Sequence, residues 1–276
     1  MQDHQVLQLF ALAYNLGFLV QARQALLLMD PLDQFHKVDL VHLVVGLFQA
    51  SCDDGEGYSI GDIAYDWVTV HVQSDGVYTF TGDTWGTMFP AAPTVWGYRL
   101  AEGTRGLLVF NPLYDDYYGY DVGIKPQQLR PFLTKTVEDL TDANEAEYAN
   151  HPAYVVDAWV AGGYMNMLFN MKMPMEKKHR VSLVKRADEP VIGEDGYIHL
   201  EYRYNTYGDT TDVFNPYEEV VCYNLNTLPL DEAEGIKMKV NSAVYGEQTW
   251  VFENMNQPVP DEAKDVNVSI EESDIE

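Results

Sequence analysis

The amino-acid sequence predicts an all-β protein whose strands fall into two successive domains. From residue 58 onward, apolar and polar side chains alternate with a period of two in one short segment after another, as in strands with one buried face. Gly, Asp and Pro residues separate these segments and indicate turns. A polar stretch at 141–152 divides the segments into two groups. Many short strands with one wet face are typical of a β-sandwich.

The first group of strands is predicted for residues 58–140. We expect five strands, at residues 63–72, 77–81, 106–111, 120–125 and 128–135. The turn Ser74-Asp75-Gly76 joins the first two strands into a hairpin. Pro131 has no N–H to donate to a neighbouring strand, so the fifth strand is expected at a sheet edge or a bulge.

The second group of strands is predicted for residues 153–253. Its strands are expected at residues 165–173, 198–204, 221–225, 236–240 and 249–252. On the first of them, one face carries Met165, Met167, Phe169, Met171 and Met173. A run of methionines can suggest a metal site, but alternation along a strand indicates core side chains. Asn166 would then face solvent. The predicted domain spans about 100 residues, which is long enough for it to fold alone.

Two segments outside the strands complete the domain organisation. Residues 141–152 form the predicted linker, in which Asp142 and Glu145 have the spacing of a helix capping box. His151-Pro152 ends any helix there. Residues 254–276 contain prolines and many acids, and we expect a disordered acidic tail.

A short apolar run precedes the first of the two cysteines. Residues 40–48 are mostly apolar, and Gln49-Ala50-Ser51-Cys52 follows them. Small residues before a cysteine allow a signal peptidase to cut there, and the thiol becomes the thioether to a diacylglyceryl group. The pattern therefore predicts Cys52 as the lipidated first residue of the mature protein, after a signal or upstream segment at 1–51. Residues 52–57 are acidic and rich in Gly, and would form a solvated tether.

The beginning of the chain departs from an ordinary signal peptide. Residues 1–39 carry only Arg23 and Lys37 as Lys or Arg side chains, whereas a signal peptide begins with a positively charged region. We therefore expect the true translation start to lie nearer Cys52. The alternative is that residues 5–28, rich in Leu and Ala, form a membrane or packing helix, although polar side chains interrupt any apolar span of about twenty residues.

The charge balance excludes one class of partner. The 43 Asp and Glu residues outnumber the 17 Lys and Arg residues, for a net charge of −26. Nucleic-acid binding depends on neutralising phosphates with basic side chains, so no nucleic-acid partner is expected. Docking of the protein surface on anionic lipid head groups is also disfavoured. Contact with the membrane would therefore be made through the lipid on Cys52.

Four stretches, in this order, resemble the NigD-like lipoproteins of the Bacteroidetes. They are Asp66-Trp67-Val68-Thr69-Val70, Thr81-Gly82-Asp83-Thr84-Trp85-Gly86, Leu133-Thr134-Lys135 and His199-Leu200-Glu201-Tyr202-Arg203-Tyr204-Asn205-Thr206. The resemblance implies an N-terminal OB-fold barrel over 58–140 and a C-terminal β-sandwich over 153–253. It also implies a loose association with bacteriocin loci, in a family without an established molecular activity. It brings no catalytic residues.

No motif of the common catalytic or cofactor-binding kinds occurs in the sequence. His-Glu-x-x-His, paired cysteines, Gly-rich phosphate loops and Gly-x-Ser-x-Gly are all absent. The sequence therefore predicts no enzyme, no cofactor and no metal ion. Four histidines are expected as scattered surface residues: His71, His151, His179 and His199. Cys222 is expected as a small buried apolar residue, although the cysteine count alone also permits a disulfide with Cys52.

The best local cluster of candidate binding residues combines tyrosines with acids. It comprises Tyr114, Asp115, Asp116, Tyr117 and Tyr118. A tyrosine joins a flat apolar ring to a hydroxyl, so the cluster can stack on sugar faces or pack against a protein. The alternative is an ordinary exposed loop. Two adjacent aspartates supply too few oxygen ligands for calcium.

Two functions are compatible with these observations. The first is an envelope binding or accessory protein with a protein or peptide ligand, linked to a bacteriocin. The second is a carbohydrate-binding surface lipoprotein that uses the barrel face or aromatic loops. Acids directly after the cysteine resemble the signal for export to the outer face in Bacteroidetes lipoproteins. In either case we expect a lipid-anchored protein on the outer membrane, exposed at the surface.

Overall fold

The computed structural model describes most of the chain beyond residue 57. The described residues are 58–59, 61–92, 94, 96–97, 99–174, 176–209, 217–264, 266 and 273–276. The predicted anchor Cys52, the 1–51 segment and the 52–57 tether lie outside them. Both predicted domains belong to the same compact unit, so they are packed together and not joined by a loose linker.

The first five strands close into a barrel. They are β1 (Ala64–Val72), β2 (Tyr78–Gly82), β3 (Gly86–Pro90), β4 (Arg105–Tyr117) and β5 (Tyr120–Pro131). Their order around the barrel is β1-β2-β3-β5-β4, and β4 returns to pair with β1. The β3–β5 pair is parallel and the others are antiparallel. A five-stranded Greek-key barrel is an OB-fold, so the expected N-terminal fold is confirmed.

Alternate residues of these strands fill the barrel interior, as the period of two predicts. The buried cluster comprises Val68, Val70, Phe80, Met88, Leu100, Leu108, Phe110, Val122, Ile124 and Leu129. Three strands differ from the prediction. β4, predicted at 106–111, extends to Tyr117. The short strand β3 was not predicted, and β5 continues without a break through the predicted fourth strand to Pro131. Pro131 therefore ends a strand of the closed barrel, where its missing N–H leaves the ladder intact.

The remaining strands form a β-sandwich, again as expected. They are β6 (Leu133–Thr136), β7 (Glu138–Leu140), β8 (Tyr154–Ala161), β9 (Tyr164–Met171), β10 (Arg180–Arg186), β11 (Tyr197–Asn205), β12 (Tyr217–Asn224), β13 (Gly235–Ser242) and β14 (Gly246–Phe252). One sheet has the order β6-β12-β9-β8, and the other has the order β14-β13-β11-β10-β7. A short helix, α1 (Glu145–Tyr148), lies between β7 and β8, and 3-10 turns lie at Leu230–Glu232 and Asp261–Ala263.

The barrel ends earlier than the predicted boundary at residue 140. β6 pairs with β12 and β7 pairs with β10, so both short strands belong to the sandwich. The segment at 141–152 is not a free linker, because Tyr148 of α1 is buried against β7 and β10. The residue that precedes α1 is Asn144, and Asp142 does not cap the helix. Alternation along a strand cannot indicate which sheet the strand joins. The predicted end of the barrel at residue 140 is therefore too late, because the sandwich already begins with β6 at Leu133.

The four-stranded sheet is covered on both faces. Its inner face contributes Met165, Met167, Phe169 and Met171 to the sandwich core, as predicted, whereas Met173 lies beyond β9 and is exposed. Its other face packs against the barrel in a cluster formed by Trp67, Leu107, Phe132, Trp159, Ala161, Tyr164, Leu168, Val220, Cys222, Ala263 and Val266. Asn166 is consequently fully buried, and the prediction that it faces solvent was wrong.

The described part of the acidic tail is packed against the domains. The Gln257 N–H donates to the Val160 carbonyl at 2.7 Å, and the Val160 N–H donates to Gln257 Oε1 at 2.9 Å. Ala263 is buried between sheet and barrel, and Ile275 is buried in the sandwich core. The prediction of disorder over 254–276 is therefore wrong for these residues. A few apolar anchors hold the segment even though its composition is acidic.

Candidate functional site

The five predicted binding residues lie together at the tip of the β4–β5 hairpin. We call this tip, residues 114–120, the tyrosine hairpin. Tyr117 and Tyr120 form its last backbone pair. Asp116, Tyr118 and Gly119 have φ angles of 50°, 51° and 86°. A left-handed backbone costs a non-glycine residue about 1–2 kcal/mol, so neighbouring contacts must hold the tip in this shape.

Ring contacts supply that support. The rings of Tyr114 and Tyr117 stack with centroids 5.2 Å apart and planes 18° apart. Tyr118 meets Tyr117 edge-on at 4.7 Å. Phe89 of β3 lies 5.9 Å from the Tyr117 ring and 5.2 Å from the Tyr120 ring. Each such pair contributes about 0.5–1.5 kcal/mol beyond its buried area, which is enough together to offset the backbone strain.

The ring of Tyr117 lies directly on the backbone of β5. A Cβ atom added at Gly123 would come within 2.6 Å of Tyr117 Cγ, so glycine leaves the space that the ring occupies. By contrast, the side chains of Tyr114 and Tyr118 are 55% and 84% exposed. The tyrosine hairpin thus has an inner ring that is fixed and outer rings that are available for contact.

The acids of the tyrosine hairpin surround the rings without forming a metal site. Asp115 Oδ1 accepts a hydrogen bond of 2.6 Å from the Tyr58 hydroxyl, which raises the pKa of Tyr58 to about 12. Asp116 is exposed. Among the described residues, no group of three or more His, Cys, Asp or Glu side chains could hold a metal ion. The hairpin therefore offers flat rings, hydroxyls and a carboxylate rim, which is the chemistry of recognition.

The place of the tyrosine hairpin in the barrel is also typical of binding. In an OB-fold, the loop between the fourth and fifth strands and the loop between the first and second strands flank the ligand-binding face. The β4–β5 loop of this barrel is the tyrosine hairpin itself. Phe89 is not among the predicted site residues, because β3 was not predicted. The only local signal was the short alternation around Met88.

A buried ion pair of the barrel contacts the sandwich. Arg105 is completely buried and donates two hydrogen bonds to the Asp83 carboxylate, at 3.0 and 2.6 Å. It also donates to Asn166 Oδ1 and to Thr69 Oγ1, each at 3.3 Å. Its guanidinium carbon lies 5.2 Å from the centre of the Tyr164 ring. Because protein groups engage the guanidinium on several sides, this cluster stabilises the packing of the two domains and offers no site for a ligand.

The turn between β8 and β9 makes room for this ion pair. Gly162 has a φ angle of 60°, and an added Cβ would lie 2.7 Å from Asp83 Oδ1 and 3.1 Å from Arg105 Nη1. A side chain at position 162 would therefore push the pair apart. Across the same junction, the Tyr164 hydroxyl donates to the Gly103 carbonyl at 2.8 Å.

Two of the stretches that carry the family resemblance build this framework. Asp66 is buried and accepts hydrogen bonds from the N–H groups of Thr84 and Trp85, at 3.0 and 2.9 Å. Trp67 packs edge-on against Trp159 of the sandwich at 4.9 Å. These residues shape the barrel and its contact with the sandwich. The residues that carry the resemblance therefore have structural roles, and none of those described here indicates a ligand.

A polar groove of about 450 Å³ crosses the outer face of the five-stranded sheet. The cations Arg186, Arg203 and Lys239 all lie within 4 Å of Glu201. Glu145 of α1 contacts both arginines, at 3.4 and 3.5 Å. These opposite charges neutralise one another, so the groove is an ion-pair network and a weaker candidate for binding than the tyrosine hairpin.

Two further residues have environments that bear on chemistry. Cys222 is buried as expected, and burial raises the pKa of its thiol to about 12, so the thiol stays protonated at neutral pH. His179 was predicted at the surface but is buried, with Nδ1 2.5 Å from the Tyr204 hydroxyl and Nε2 3.4 Å from Asp209 Oδ2. Burial lowers the pKa of His179.

Within the described part of the chain, no helix has the length and apolar character needed to cross a membrane.

Several solved structures share this fold. A protein from Parabacteroides distasonis, provisionally named as toxin-related, is 26% identical with a TM-score of 0.57, over 69% of this chain and 92% of that one. A NigD-like immunity protein from Bacteroides caccae is 18% identical with a TM-score of 0.50, over 70% and 94%. A protein from Bacteroides fragilis, provisionally named a lipoprotein, is 14% identical with a TM-score of 0.51, over 70% and 98%.

The sequence comparisons define the C-terminal domain. No curated protein matches the chain. Residues 136–254 match the family model described as the NigD-like C-terminal beta sandwich domain. This match begins at the end of β6 and extends past the end of β14, so it covers nearly all of the sandwich. The resemblance inferred from the sequence is thus confirmed for the C-terminal sandwich, where residues 136–254 match the NigD-like C-terminal β-sandwich family.

Proposed function

We propose that this chain is a non-catalytic binding protein of the cell envelope, and that the tyrosine hairpin is its recognition surface. The observation that carries the proposal is the pair of exposed rings, Tyr114 and Tyr118, held on the fixed inner ring of Tyr117. Large rings that are ordered before binding lose little conformational entropy in a complex. A hairpin whose strain is offset by its own contacts is ordered in this way.

A lipid on Cys52 is the proposed attachment to the outer membrane. The apolar run before Ala50-Ser51-Cys52 supports it, as does the similarity in fold to a protein provisionally named a lipoprotein. Two or more acyl chains, at about 0.8 kcal/mol per buried CH₂ group, give a durable anchor. Cys52→Ala expressed from the native locus should lose metabolic palmitate labelling. Unchanged labelling of the variant would remove the anchor from the proposal.

The proposed ligand is a protein or peptide, and a bacteriocin is the first candidate. Tyrosine is enriched in protein interfaces, where its ring is buried and its hydroxyl bonds at the rim. The similarity to a protein provisionally named as toxin-related supports this order of testing. A glycan is the second candidate, because flat exposed rings beside carboxylates can stack on sugar faces and accept their hydroxyl hydrogens.

Absence of catalysis is part of the same proposal. The buried Cys222 thiol is protonated at neutral pH and therefore a poor nucleophile. The ion pair of Arg105 and Asp83 is enclosed by protein groups on several sides. Neither group is placed to reach a substrate.

Binding by matched tyrosine variants tests the recognition surface. Bacteriocin peptides and soluble glycans would be titrated against the wild-type chain and the Tyr118→Ala and Tyr114→Ala variants. We expect at least a tenfold loss of affinity in both variants. Tyr245→Ala is the control, since Tyr245 is 75% exposed on the turn between β13 and β14, away from the hairpin. A loss in the control equal to that in the hairpin variants would refute the assignment of the surface.

A further inference from the structure

One edge of the five-stranded sheet is covered by two short pieces of chain. β7 pairs with β10 only at Val184–Arg186, which leaves the beginning of β10 without a neighbouring strand from β7. Residues 274–276 lie along that beginning in parallel orientation, with Ile275 opposite His179. An uncovered strand edge presents a row of N–H and C=O groups that readily pair with an extended chain.

Three backbone hydrogen bonds hold residues 274–276 on this edge. The His179 N–H donates to the Asp274 carbonyl at 3.1 Å, and the Glu276 N–H donates to the His179 carbonyl at 2.9 Å. The Val181 N–H donates to the Glu276 carbonyl at 3.0 Å. This is the pattern by which a peptide adds a strand to a sheet, where the backbone supplies affinity irrespective of sequence.

Side-chain contacts add specificity to this backbone pairing. Ile275 is only 3% exposed and belongs to the apolar cluster of the sandwich core. An aliphatic side chain at this position therefore fits an apolar pocket, which we call the socket of Ile275.

The residues on both sides of Ile275 are read by hydrogen bonds. The Tyr217 hydroxyl donates to Asp274 Oδ2 at 2.7 Å, and the Tyr207 hydroxyl donates to Glu276 Oε1 at 2.9 Å. Lys177 Nζ lies 3.9 Å from Glu276 Oε1 and 3.4 Å from the centre of the Tyr207 ring. The surroundings therefore select a carboxylate on each side of an aliphatic residue.

The backbone pairing that holds this segment is short. It consists of three hydrogen bonds around His179, and short edge pairings are among the first parts of a protein to open. The buried neighbour Glu219 accepts a hydrogen bond from the Asp274 N–H at 3.3 Å and places another acid beside Asp274. Opening would expose both the backbone edge and the socket of Ile275.

We propose that the beginning of β10 is a peptide-binding slot for an extended segment with an aliphatic residue between two acidic residues. The slot consists of His179–Val181 with Lys177, Tyr207 and Tyr217. Residues 274–276 occupy it as an internal competitor. The proposal goes beyond the recognition surface described above, because the slot lies on the sandwich and the tyrosine hairpin lies on the barrel.

The experiment uses full-length variants and a labelled peptide with the sequence Glu-Glu-Ser-Asp-Ile-Glu, that of residues 271–276. A tethered segment competes at an effective concentration of about a millimolar, so the wild-type slot should resist a micromolar peptide. Ile275→Asp places a charge in the socket and should empty the slot. Fluorescence anisotropy should then show at least tenfold tighter peptide binding to Ile275→Asp than to the wild type.

Four controls keep the result interpretable. A peptide with Asp in place of Ile should not bind, and adding Lys177→Glu to Ile275→Asp should weaken binding at least fivefold. Ile275→Ala empties the socket without burying a charge, and it decides the matter if thermal melting shows that Ile275→Asp is unfolded. Adding Tyr118→Ala to Ile275→Asp should leave the peptide affinity of Ile275→Asp unchanged, which separates this slot from the tyrosine hairpin. Absence of peptide binding to a folded Ile275 variant, or equal binding to wild type and variant, overturns the proposal.

Discussion

The two sheets of the sandwich have similar alternating sequences and opposite surroundings. The outer face of the five-stranded sheet carries charged side chains such as Glu201 and Lys239 around an open groove. The outer face of the four-stranded sheet lies under the barrel and carries Trp159, Asn166 and Leu168, all buried. A polar residue at an alternate strand position therefore faces either water or a second layer of protein. The pattern of residues along the strand is the same in both cases.

Ion pairs on the two faces differ in the same way. The Arg105 and Asp83 side chains are 0% and 5% exposed, whereas those of Lys237 and Asp195 are 27% and 40% exposed. A buried charge that loses its partner has no access to water, and an exposed charge that loses its partner is simply hydrated. The covered face should therefore be much more sensitive to mutation than the wet face.

The largest expected effect is that of removing the barrel. A fragment of residues 153–253, which the length of the segment alone would predict to fold, exposes Trp159 and Leu168 and lacks β6 and β7. We expect it to aggregate or to melt without cooperativity, because a large apolar face loses its cover. Size-exclusion chromatography and thermal melting check this against a chain of residues 58–276. A monomeric fragment with a sharp melt would show that the four-stranded sheet does not need the barrel.

The next effect is that of breaking the buried ion pair. Arg105→Leu leaves Asp83 buried without its partner and should lower the free energy of unfolding by about 3–5 kcal/mol. Urea denaturation measures the change. Lys237→Leu on the wet face is the matched control and should leave the denaturation midpoint nearly unchanged.

A second variant separates the lost charge pair from lost packing. Adding Asp83→Leu to Arg105→Leu removes the unpaired carboxylate, so the double variant should be more stable than Arg105→Leu alone. Equal destabilisation by Arg105→Leu and Lys237→Leu would contradict the difference drawn between the two faces.

The smallest expected effect concerns two histidines at the five-stranded sheet, of which His179 is buried and His199 is partly exposed. The pKa of His179 is lowered, mainly by burial and against the opposing charge of Asp209, so the folded state resists protonation that the unfolded state accepts. Stability should therefore fall as the pH drops below about 6.5, the ordinary histidine value. The fall continues until the pH reaches the lowered pKa of the folded state.

Urea titrations at pH 7.5 and pH 5.5 measure this dependence. The loss of stability between these values should be smaller in His179→Gln than in the wild type. His199 is on the wet face and is the control, so His199→Gln should retain the wild-type difference. A wild-type loss that persists in His179→Gln would assign the acid sensitivity to other groups.

Local pattern predicted most of the strands, although not β3, β7, β8 or β10, and it predicted the layers poorly. The alternation of Met165, Met167 and Phe169 identified a core strand correctly, because each side chain responds to its own face. The burial of Asn166 depends on Arg105, which lies 61 residues away in the sequence. A short stretch of sequence around one of these two residues does not include the other. The only local signal was a charged side chain directly before the apolar run that begins at Gly106.

The sequence predicted the candidate site because its residues are neighbours in the chain, and the fold added a residue from another strand. The five predicted binding residues, 114–118, are consecutive, so the sequence could identify them without knowing the fold. Phe89, which supports two of the rings, comes from a neighbouring strand and could not be found in that way. The predicted disorder of the acidic tail failed for a similar reason, since composition does not show that Ala263 and Ile275 have sockets elsewhere in the chain.

The buried junction at Arg105 has a thermodynamic consequence. Two domains that share a buried cluster lose it together, so they should unfold in a single transition and not one after the other. A ligand that binds only the folded barrel would then raise the melting temperature of the sandwich as well, by linkage. Destabilising the sandwich would likewise reduce the fraction of chains able to bind at the tyrosine hairpin. The melting temperature of the whole chain can therefore serve as a binding assay for a surface that lies on the barrel alone.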